Sequence, residues 1–102
     1  MAFKILFKPI ALIDVDEAIS WYEKELKGLG YRFLNRLTEA LEELKVNPNA
    51  YQIIYSPVRR MLLKSFPYKI LYFIRDPETI IILGVIHTKR SNRYIKKRLK
   101  RQ

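Results

Sequence analysis

Residues 66–72 read FPYKILY and residues 80–86 read IIILGVI, and these two stretches decide the fold. The first stretch leads into a strand expected at residues 70–74, and the second is itself an expected strand. A turn at residues 75–79, which contains Pro77, joins the two strands and predicts a buried β-hairpin. The second stretch is apolar on both faces, as is typical of a central strand. Because it runs directly into HTKR at residues 87–90, the hairpin is expected to deliver the only histidine and a group of cations to one sheet edge.

Two amphipathic helices are expected before this hairpin. Asp14 and Glu17 form a capping-box pattern, and apolar residues then recur at helical spacing, which predicts a first helix from Asp14 to about residue 27. The sequence GLG at residues 28–30 tolerates the positive φ of a helix end, and a second apolar stripe continues until residues 47–48, Asn-Pro, stop it. So short a link favours an antiparallel helical hairpin whose apolar face is covered by a sheet.

Shorter elements complete the expected domain. Alternation predicts a first strand at residues 2–8 that Pro9 ends, and further strands at 51–55 and 61–66, while residues 94–99 suit a short helix. The fold class is therefore α+β, in one domain spanning residues 1–102. Its expected order is an N-terminal strand, an antiparallel helical hairpin, an antiparallel strand meander that forms one sheet packed on the helices, and a short basic C-terminal helix or tail at 88–102.

The composition excludes several kinds of site. The chain has no cysteine, so a disulfide framework, a thiol nucleophile and a thiolate zinc site are excluded, and one histidine leaves too few ligands for a transition metal. We therefore predict no metal and no cofactor. Lysines interrupt the N-terminal segment, so we predict neither a signal peptide nor a membrane span. We expect the protein to be cytoplasmic and to have no membrane partner.

The net charge of +10 is unevenly distributed. Residues 14–43 hold eight of the ten acids and four bases, whereas residues 44–102 hold fourteen bases and two acids. Residues 89–101 alone carry eight bases and no acid. We expect one mildly acidic face and one strongly basic face that seeks an acidic partner, although a merely solvated surface is the simpler alternative.

The order of these elements, together with particular residues, resembles the RelE/ParE superfamily of toxins from type II toxin-antitoxin systems. The resemblance spans nearly the whole chain and depends on the order and spacing of several short motifs. They are DEA at 16–18 with WY at 21–22, GLG at 28–30 with Phe33, Pro48 with Tyr51, RR at 59–60, FPYKILY at 66–72, and VIH at 85–87 followed by Arg90.

The resemblance implies one of two activities. The ParE-like branch, which we favour, arrests growth by binding a macromolecular target, DNA gyrase, and is neutralised by a cognate antitoxin. The alternative is a RelE-like, ribosome-dependent endoribonuclease that cleaves mRNA in the ribosome. A second alternative is a degenerate, non-toxic binding module. A homodimer or a toxin-antitoxin hetero-oligomer is compatible with all three.

The nuclease alternative needs a base for the 2′-hydroxyl, cations for the phosphorane charge and an acid for the leaving oxygen. By the resemblance, Lys69 replaces the sheet arginine of the nucleases, Thr88 replaces a second arginine, and Tyr94 retains the C-terminal tyrosine. The candidate catalytic set is Lys69, His87, Arg90 and Tyr94. The loss at Thr88 favours the ParE-like interpretation.

Several of these residues have a simpler interpretation. His87 is either a general base or a ring that caps the sheet edge through a backbone hydrogen bond, and Tyr94 either transfers a proton or packs on the sheet. Trp21 and Tyr22 are expected to pack in the core, with a contribution to partner docking at the helical hairpin as the alternative. The candidate target- or nucleic-acid-binding residues are Arg59, Arg60, Lys64, Lys89, Arg90, Arg93, Lys96 and Lys97. For Arg59, Arg60 and Lys64, the alternative is that they are solvated charges on an edge strand. For residues 96–101, the alternative is a disordered tail that becomes ordered when a partner binds.

Overall fold

The structure, a computed structural model, describes residues 3–100. Five strands, three α-helices and one short 3₁₀ turn follow one another along this part of the chain. In order they are β1 (Lys4–Phe7), α1 (Pro9–Glu25), α2 (Leu29–Val46), the 3₁₀ turn (Pro48–Ala50), β2 (Gln52–Tyr55), β3 (Val58–Leu62), β4 (Tyr68–Asp76), β5 (Thr79–His87) and α3 (Asn92–Lys100). The predicted α+β class and element order are confirmed.

The strands form one sheet in the order β1-β5-β4-β3-β2. Strands β2 to β5 make the predicted antiparallel meander, and β1 pairs with β5 in parallel. The apolar strand β5 is central, as its sequence indicates, and seven of its residues, Ile80–Ile86, are buried on both faces. Because β1 pairs only as far as Ile82, the edge of β5 from Leu83 to His87 lies beyond β1.

The two faces of the sheet carry different layers. Alternate residues of β4 and β5, such as Ile70, Tyr72 and Ile82, pack with Phe33, Leu37 and Leu44 of the helical hairpin in the main core. The intervening residues Leu71, Ile81 and Leu83 pack with Ile95 of α3 in a smaller cluster. The acidic hairpin and the basic helix α3 therefore lie on opposite faces of the sheet, as the charge pattern indicates.

The helical hairpin is closed by glycines and one carboxylate. Gly28 has a φ of 89°, which only glycine adopts without strain, as the sequence predicts. Gly30 packs so closely on α1 that a Cβ there would lie 2.7 Å from the carbonyl oxygen of Ile19. The Glu23 carboxylate accepts hydrogen bonds from the N–H groups of Gly28 and Gly30 at 2.9 and 3.0 Å, so it caps the start of α2.

Two predicted boundaries are wrong. Helix α1 begins at Pro9 rather than Asp14, because proline is preorganised for the first helical position, and Asp14 therefore lies inside the helix. Strand β3 covers Val58–Leu62 rather than 61–66. Residues 63–67 instead form the loop to β4, in which Ser65 adopts a φ of 71°. Within residues 3–100, no helix has the length and apolar character needed to cross a membrane.

The buried hydroxyl of Tyr72 yields a prediction for alkaline pH. It donates to the carbonyl oxygen of Pro48 at 2.6 Å, and burial raises the pKa of Tyr72 from 10.0 to about 12, against the opposing effect of Arg59. The folded state therefore holds this proton more tightly than the unfolded state, so its stabilisation is complete below pH 10 and falls as pH rises towards 12.

We expect Tyr72→Phe to lower the free energy of unfolding by about 1 kcal/mol at pH 7, because the Pro48 carbonyl loses its donor. Above pH 10 the difference from the wild type should shrink. Urea unfolding at several pH values measures both effects. A difference that stays constant up to pH 11 would contradict the assigned titration.

Candidate functional site

A groove lies where α1, the end of β5 and the start of α3 meet. Trp21, Tyr68, His87 and Arg90 line it throughout, and we call it the aromatic groove. This groove is open to solvent. Its larger half has a volume of about 500 Å³ and also contacts Tyr22 and Lys89. Its smaller half has a volume of about 300 Å³ and is completed by Asp14, Glu17, Ala18, Val85, Ile86 and Tyr94.

The turn at residues 87–90 is fixed by backbone hydrogen bonds. The N–H of Thr88 donates to the carbonyl of Pro67 at 2.8 Å, and that of Arg90 donates to the carbonyl of His87 at 3.0 Å. The N–H of Lys89 donates to Nδ1 of His87 at 3.0 Å, while the imidazole packs edge-on against Tyr68. This geometry matches the interpretation of His87 as a ring that caps the sheet edge.

The start of α3 holds Arg90 and Tyr94 together. The hydroxyl of Ser91 accepts a hydrogen bond from the N–H of Tyr94 at 3.1 Å, which caps the helix. The Arg90 guanidinium lies over the Tyr94 ring, 4.4 Å from its centroid, in a cation–π contact. Tyr94 also packs on the cluster beneath α3, so its ring has the packing role that the sequence left open.

A buried ion pair joins α1 to α3. One Oδ of Asp14 accepts hydrogen bonds from Arg98 and, at 2.9 Å, from the N–H of Val85, while Arg98 lies 3.5 Å from the carbonyl oxygen of Leu83. The pair thus hydrogen-bonds the backbone of β5 along the edge that β1 does not cover, where a neighbouring strand would otherwise do so. Burial alone would lower the pKa of Arg98, but its bonds with Asp14 and Tyr94 raise that pKa above the ordinary value.

Gly84 makes this ion pair possible. A Cβ at residue 84 would lie 3.1 Å from a guanidinium nitrogen of Arg98 and 3.3 Å from the Asp14 carboxylate. Contacts this close would require the pair to shift by a few tenths of an ångström to make room for a side chain. The glycine in the middle of β5 is therefore explained by the close approach of α1 and α3 to the same strand edge.

The four candidate catalytic residues do not share one face of the sheet. His87 is paired with Tyr68, which packs on the helical hairpin, whereas Lys69 is paired with Ile86, which packs on the opposite side with α3. His87, Arg90 and Tyr94 line the aromatic groove, and Lys69 does not. Lys69 is only 4% exposed, and burial, aided by Arg60, lowers its pKa.

Lys69 yields a prediction for stability. Within residues 3–100 no ion pair neutralises it. We expect Lys69→Met to raise the free energy of unfolding by about 1 kcal/mol at pH 7, because it replaces a buried, repelled cation with an apolar chain of similar length. The gain should shrink as pH rises towards 10.5, where Lys69 loses its charge in both states.

Urea unfolding measures this gain. Lys64→Met is the matched control, because the Lys64 side chain is 77% exposed and should contribute little. A Lys69→Met protein that is less stable than the wild type would show that the ammonium group has a stabilising partner.

The candidate binding residues are dispersed rather than gathered in one groove. Arg59 donates to the carbonyl oxygens of Asn49 and Tyr51 at 3.1 and 2.7 Å, so it braces the 3₁₀ turn. Lys64 pairs with Glu43 of α2 at 3.7 Å, and Arg60 donates to Gln52 at 3.0 Å. The exposed basic residues that share a face are those of α3, at positions three and four apart: Arg93, Lys96, Lys97 and Lys100.

Three residues of the site were missed or misplaced by sequence reasoning. Asp14 and Arg98 were not predicted as a pair, although each falls within the apolar stripe of its helix, which is a signal for a buried partner. Trp21 was expected in the core, yet it is 59% exposed and lines the aromatic groove. Its neighbour Tyr22 packs with Phe33 and Phe66 as expected.

Comparison with known proteins agrees with this architecture. No curated protein matches the chain. The fold is similar to that of a protein from the chromosomal ParDE toxin-antitoxin system of P. aeruginosa, with a TM-score of 0.73 and 18% identity over 84% of this chain and 96% of the other. It is also similar to a free mutant of the E. coli toxin RelE, with a TM-score of 0.69 and 19% identity over 99% and 98%.

The family assignment rests on the sequence. The family model described as ParE toxin of type II toxin-antitoxin system, parDE, matches residues 5–92, which include every element from β2 to β5 and both helices of the hairpin. The chain therefore belongs to the family of ParE toxins of type II toxin-antitoxin systems, and so to the RelE/ParE superfamily.

Proposed function

We propose that this protein is a ParE-like toxin that arrests growth by binding DNA gyrase and is neutralised by a cognate antitoxin. The observation that carries the proposal is the separation of the candidate nuclease residues, since Lys69 and His87 lie on opposite faces of the sheet. A cation on the far side of a packed sheet cannot neutralise charge on a phosphate held near His87. Membership of the ParE family supports the same conclusion.

The outer face of α3 is the proposed target-binding surface. Its exposed residues Arg93, Lys96 and Lys97 project from the sheet on the side opposite the acidic hairpin, and no ion pair within residues 3–100 involves them. Such a surface raises the association rate with an acidic partner and gives binding that weakens with salt. Among the candidate binding residues, those on α3 are therefore preferred over Arg59 and Lys64.

The family implies a cognate antitoxin as a partner. We propose that its acidic segment covers the basic face of α3 and part of the exposed apolar surface of the toxin. The segment would then compete with the target for the same cations. The cytoplasm, where gyrase acts, is the proposed location.

A RelE-like endoribonuclease is the second candidate, because three of the four candidate residues, His87, Arg90 and Tyr94, do meet in the aromatic groove. In that case a variant with His87→Ala and Tyr94→Phe should lose toxicity while retaining its fold and antitoxin binding. The ParE-like proposal expects toxicity to persist in this variant, because Tyr94→Phe keeps the ring that packs beneath α3 and removes the hydroxyl contact with Arg98.

Controlled expression of the chain in a bacterium tests the proposal, with mRNA ends mapped and the DNA-damage response recorded in the same cultures. We expect DNA damage with intact messages. Codon-phased cuts in messages without DNA damage would instead establish the nuclease. Growth unaffected by expression without antitoxin would indicate a degenerate binding module.

A further inference from the structure

We propose that the outer face of α1 binds the same face of a second copy of this chain, so that two copies form a two-fold symmetric dimer around Trp21. The α1 face, as we call it, consists of Asp16, Glu17, Ser20, Trp21 and Lys24. The inference goes beyond the proposed function, because it concerns how the protein assembles without target or antitoxin. It rests on an exposed indole, a recess beside that indole, and charges that match those of a second copy.

The exposed indole is the first observation. Trp21 is 59% exposed, although its neighbour Tyr22 packs against the core. Ile13, which lies two turns earlier on the same helix, is 54% exposed. Tryptophan is enriched among the residues that contribute most to binding at protein interfaces, because its large ring excludes much water when it is covered. Trp21 is therefore the expected anchor of an interface.

A shallow recess beside the indole is the second observation. It has a volume of about 420 Å³ and is lined by the five residues of the α1 face. These residues follow the spacing of neighbours on a helix surface, so they share one side of α1. Ser20 is the smallest of them. The space in front of Ser20 can receive a large side chain from a helix packed alongside, as a knob enters a hole.

The charges on the α1 face are the third observation. Glu17 and Lys24 are exposed, and neither takes part in an ion pair in the part of the chain that the structure describes. Ser20 and Trp21 lie midway between them along the helix. If two α1 helices pack antiparallel with the two-fold axis between Ser20 and Trp21, positions equally far from the axis face each other. Glu17 of one copy then lies opposite Lys24 of the other, and Trp21 lies opposite Ser20.

This match specifies a second copy of the chain as the occupant. A two-fold interface is formed by the same patch on both copies, so the patch must be complementary to itself. The α1 face meets this condition, because an acid faces a base on each side of the axis and the indole faces a small residue at the centre. The net charge of +10 does not prevent pairing, because the exposed cations of α3 lie across the sheet from the helical hairpin and physiological salt screens charges over about 8 Å.

Pairing through the α1 face has a consequence for target binding. It does not use the outer face of α3, so the dimer presents two copies of the proposed target-binding surface. Two linked surfaces bind a target that offers two sites more tightly than one surface does. Because Trp21 also lines the aromatic groove, the second copy covers one wall of that groove.

Sedimentation velocity and intrinsic fluorescence of the isolated protein test the dimer, because Trp21 is the only tryptophan of the chain. We expect a monomer–dimer equilibrium with a dissociation constant on the order of 10 μM, as is usual for small interfaces. The emission maximum should shift to shorter wavelength over the same range of concentration, since the indole loses water. Trp21→Ala should weaken association about 30-fold or more.

Charge reversal tests how the two helices are aligned. Glu17→Lys and Lys24→Glu should each weaken association about tenfold or more, because like charges then face each other. An equal mixture of the two variants should form a heterodimer with about the affinity of the wild type, because opposite charges face each other again. Glu78→Lys, which reverses an exposed acid in the turn between β4 and β5, is the matched control and should associate as the wild type does. Urea unfolding should show that all variants keep their fold, since the exchanged side chains are exposed.

A protein that remains a monomer far above the expected dissociation constant would overturn the proposal. A dimer that Trp21→Ala leaves intact would also overturn it, as would a failure of the two charge-reversal variants to associate with each other. A monomer whose Trp21 emission shifts only when a co-expressed antitoxin is bound would overturn it and assign the α1 face to the antitoxin. Because gyrase is absent from these assays, the proposed target of the toxin is judged separately.

Discussion

Removing either member of the Asp14–Arg98 pair should lower the free energy of unfolding by about 3 to 5 kcal/mol. The Arg98 side chain is 6% exposed and that of Asp14 is 12% exposed, so each loss leaves a largely buried charge without its counter-ion. Asp14→Ala additionally leaves the N–H of Val85 without its acceptor. Urea unfolding of Asp14→Ala and Arg98→Met measures the effect.

A double variant distinguishes pairing from packing. Replacing Asp14 by Leu and Arg98 by Met together removes both charges, along with the buried Nε of Arg98, which has no hydrogen-bond partner within residues 3–100. The double variant should be more stable than either single variant, and the Val85 N–H should account for most of its remaining deficit. Asp16→Ala, an exposed acid on the same helix, is the control. A cost below about 1 kcal/mol for Asp14→Ala would contradict the buried pair.

Reversing the charges on α3 should have the largest effect on function. A variant with Arg93→Glu, Lys96→Glu and Lys97→Glu is expected to bind its target at least about 100-fold more weakly, because three attractive charges become repulsive at the proposed interface. The fold should be retained, since all three side chains are exposed and the main loss is the cation–π contact of Lys96 with Tyr55. Target binding at several salt concentrations and urea unfolding measure the two effects.

The matched control reverses three cations elsewhere on the surface. A variant with Lys4→Glu, Lys27→Glu and Arg32→Glu has the same net charge as the α3 variant, but these residues lie on β1 and at the helical hairpin. It should retain most of the target affinity. If both triple variants lose affinity equally, binding depends on net charge alone and α3 is not the interface.

The fold was predictable because its main signals are local. These signals act over a few residues each. They are the apolar run of β5, the apolar stripes of the two long helices, and the helix ends marked by Gly28 and Pro48. The turn at Pro77 and the C-terminal helix were predicted for the same reason. The start of α1 was missed because an acidic capping pattern at Asp14 was preferred to Pro9, although proline also begins helices.

The candidate site was less predictable because its geometry depends on distant parts of the chain. Asp14 and Arg98 are separated by 84 positions, and only the end of β1 at Phe7 exposes the strand edge on which they meet. The exposure of Trp21 depends on how helix α1 is rotated about its axis against the sheet, and the apolar stripe does not decide whether Trp21 or its neighbour Tyr22 faces the core. The charge pattern predicted the basic helix. Only the strand register shows that Lys69 and His87 lie on opposite faces of the sheet.

The most direct test of the proposed function is a supercoiling assay with purified gyrase, with ribosome-bound mRNA supplied to the same toxin preparation in a parallel reaction. We expect gyrase to lose supercoiling activity at near-stoichiometric toxin, an added antitoxin to restore it, and the message to remain intact. Supercoiling that is untouched at large toxin excess, together with cuts in the ribosome-bound message, would contradict the proposed function and identify the protein as an endoribonuclease.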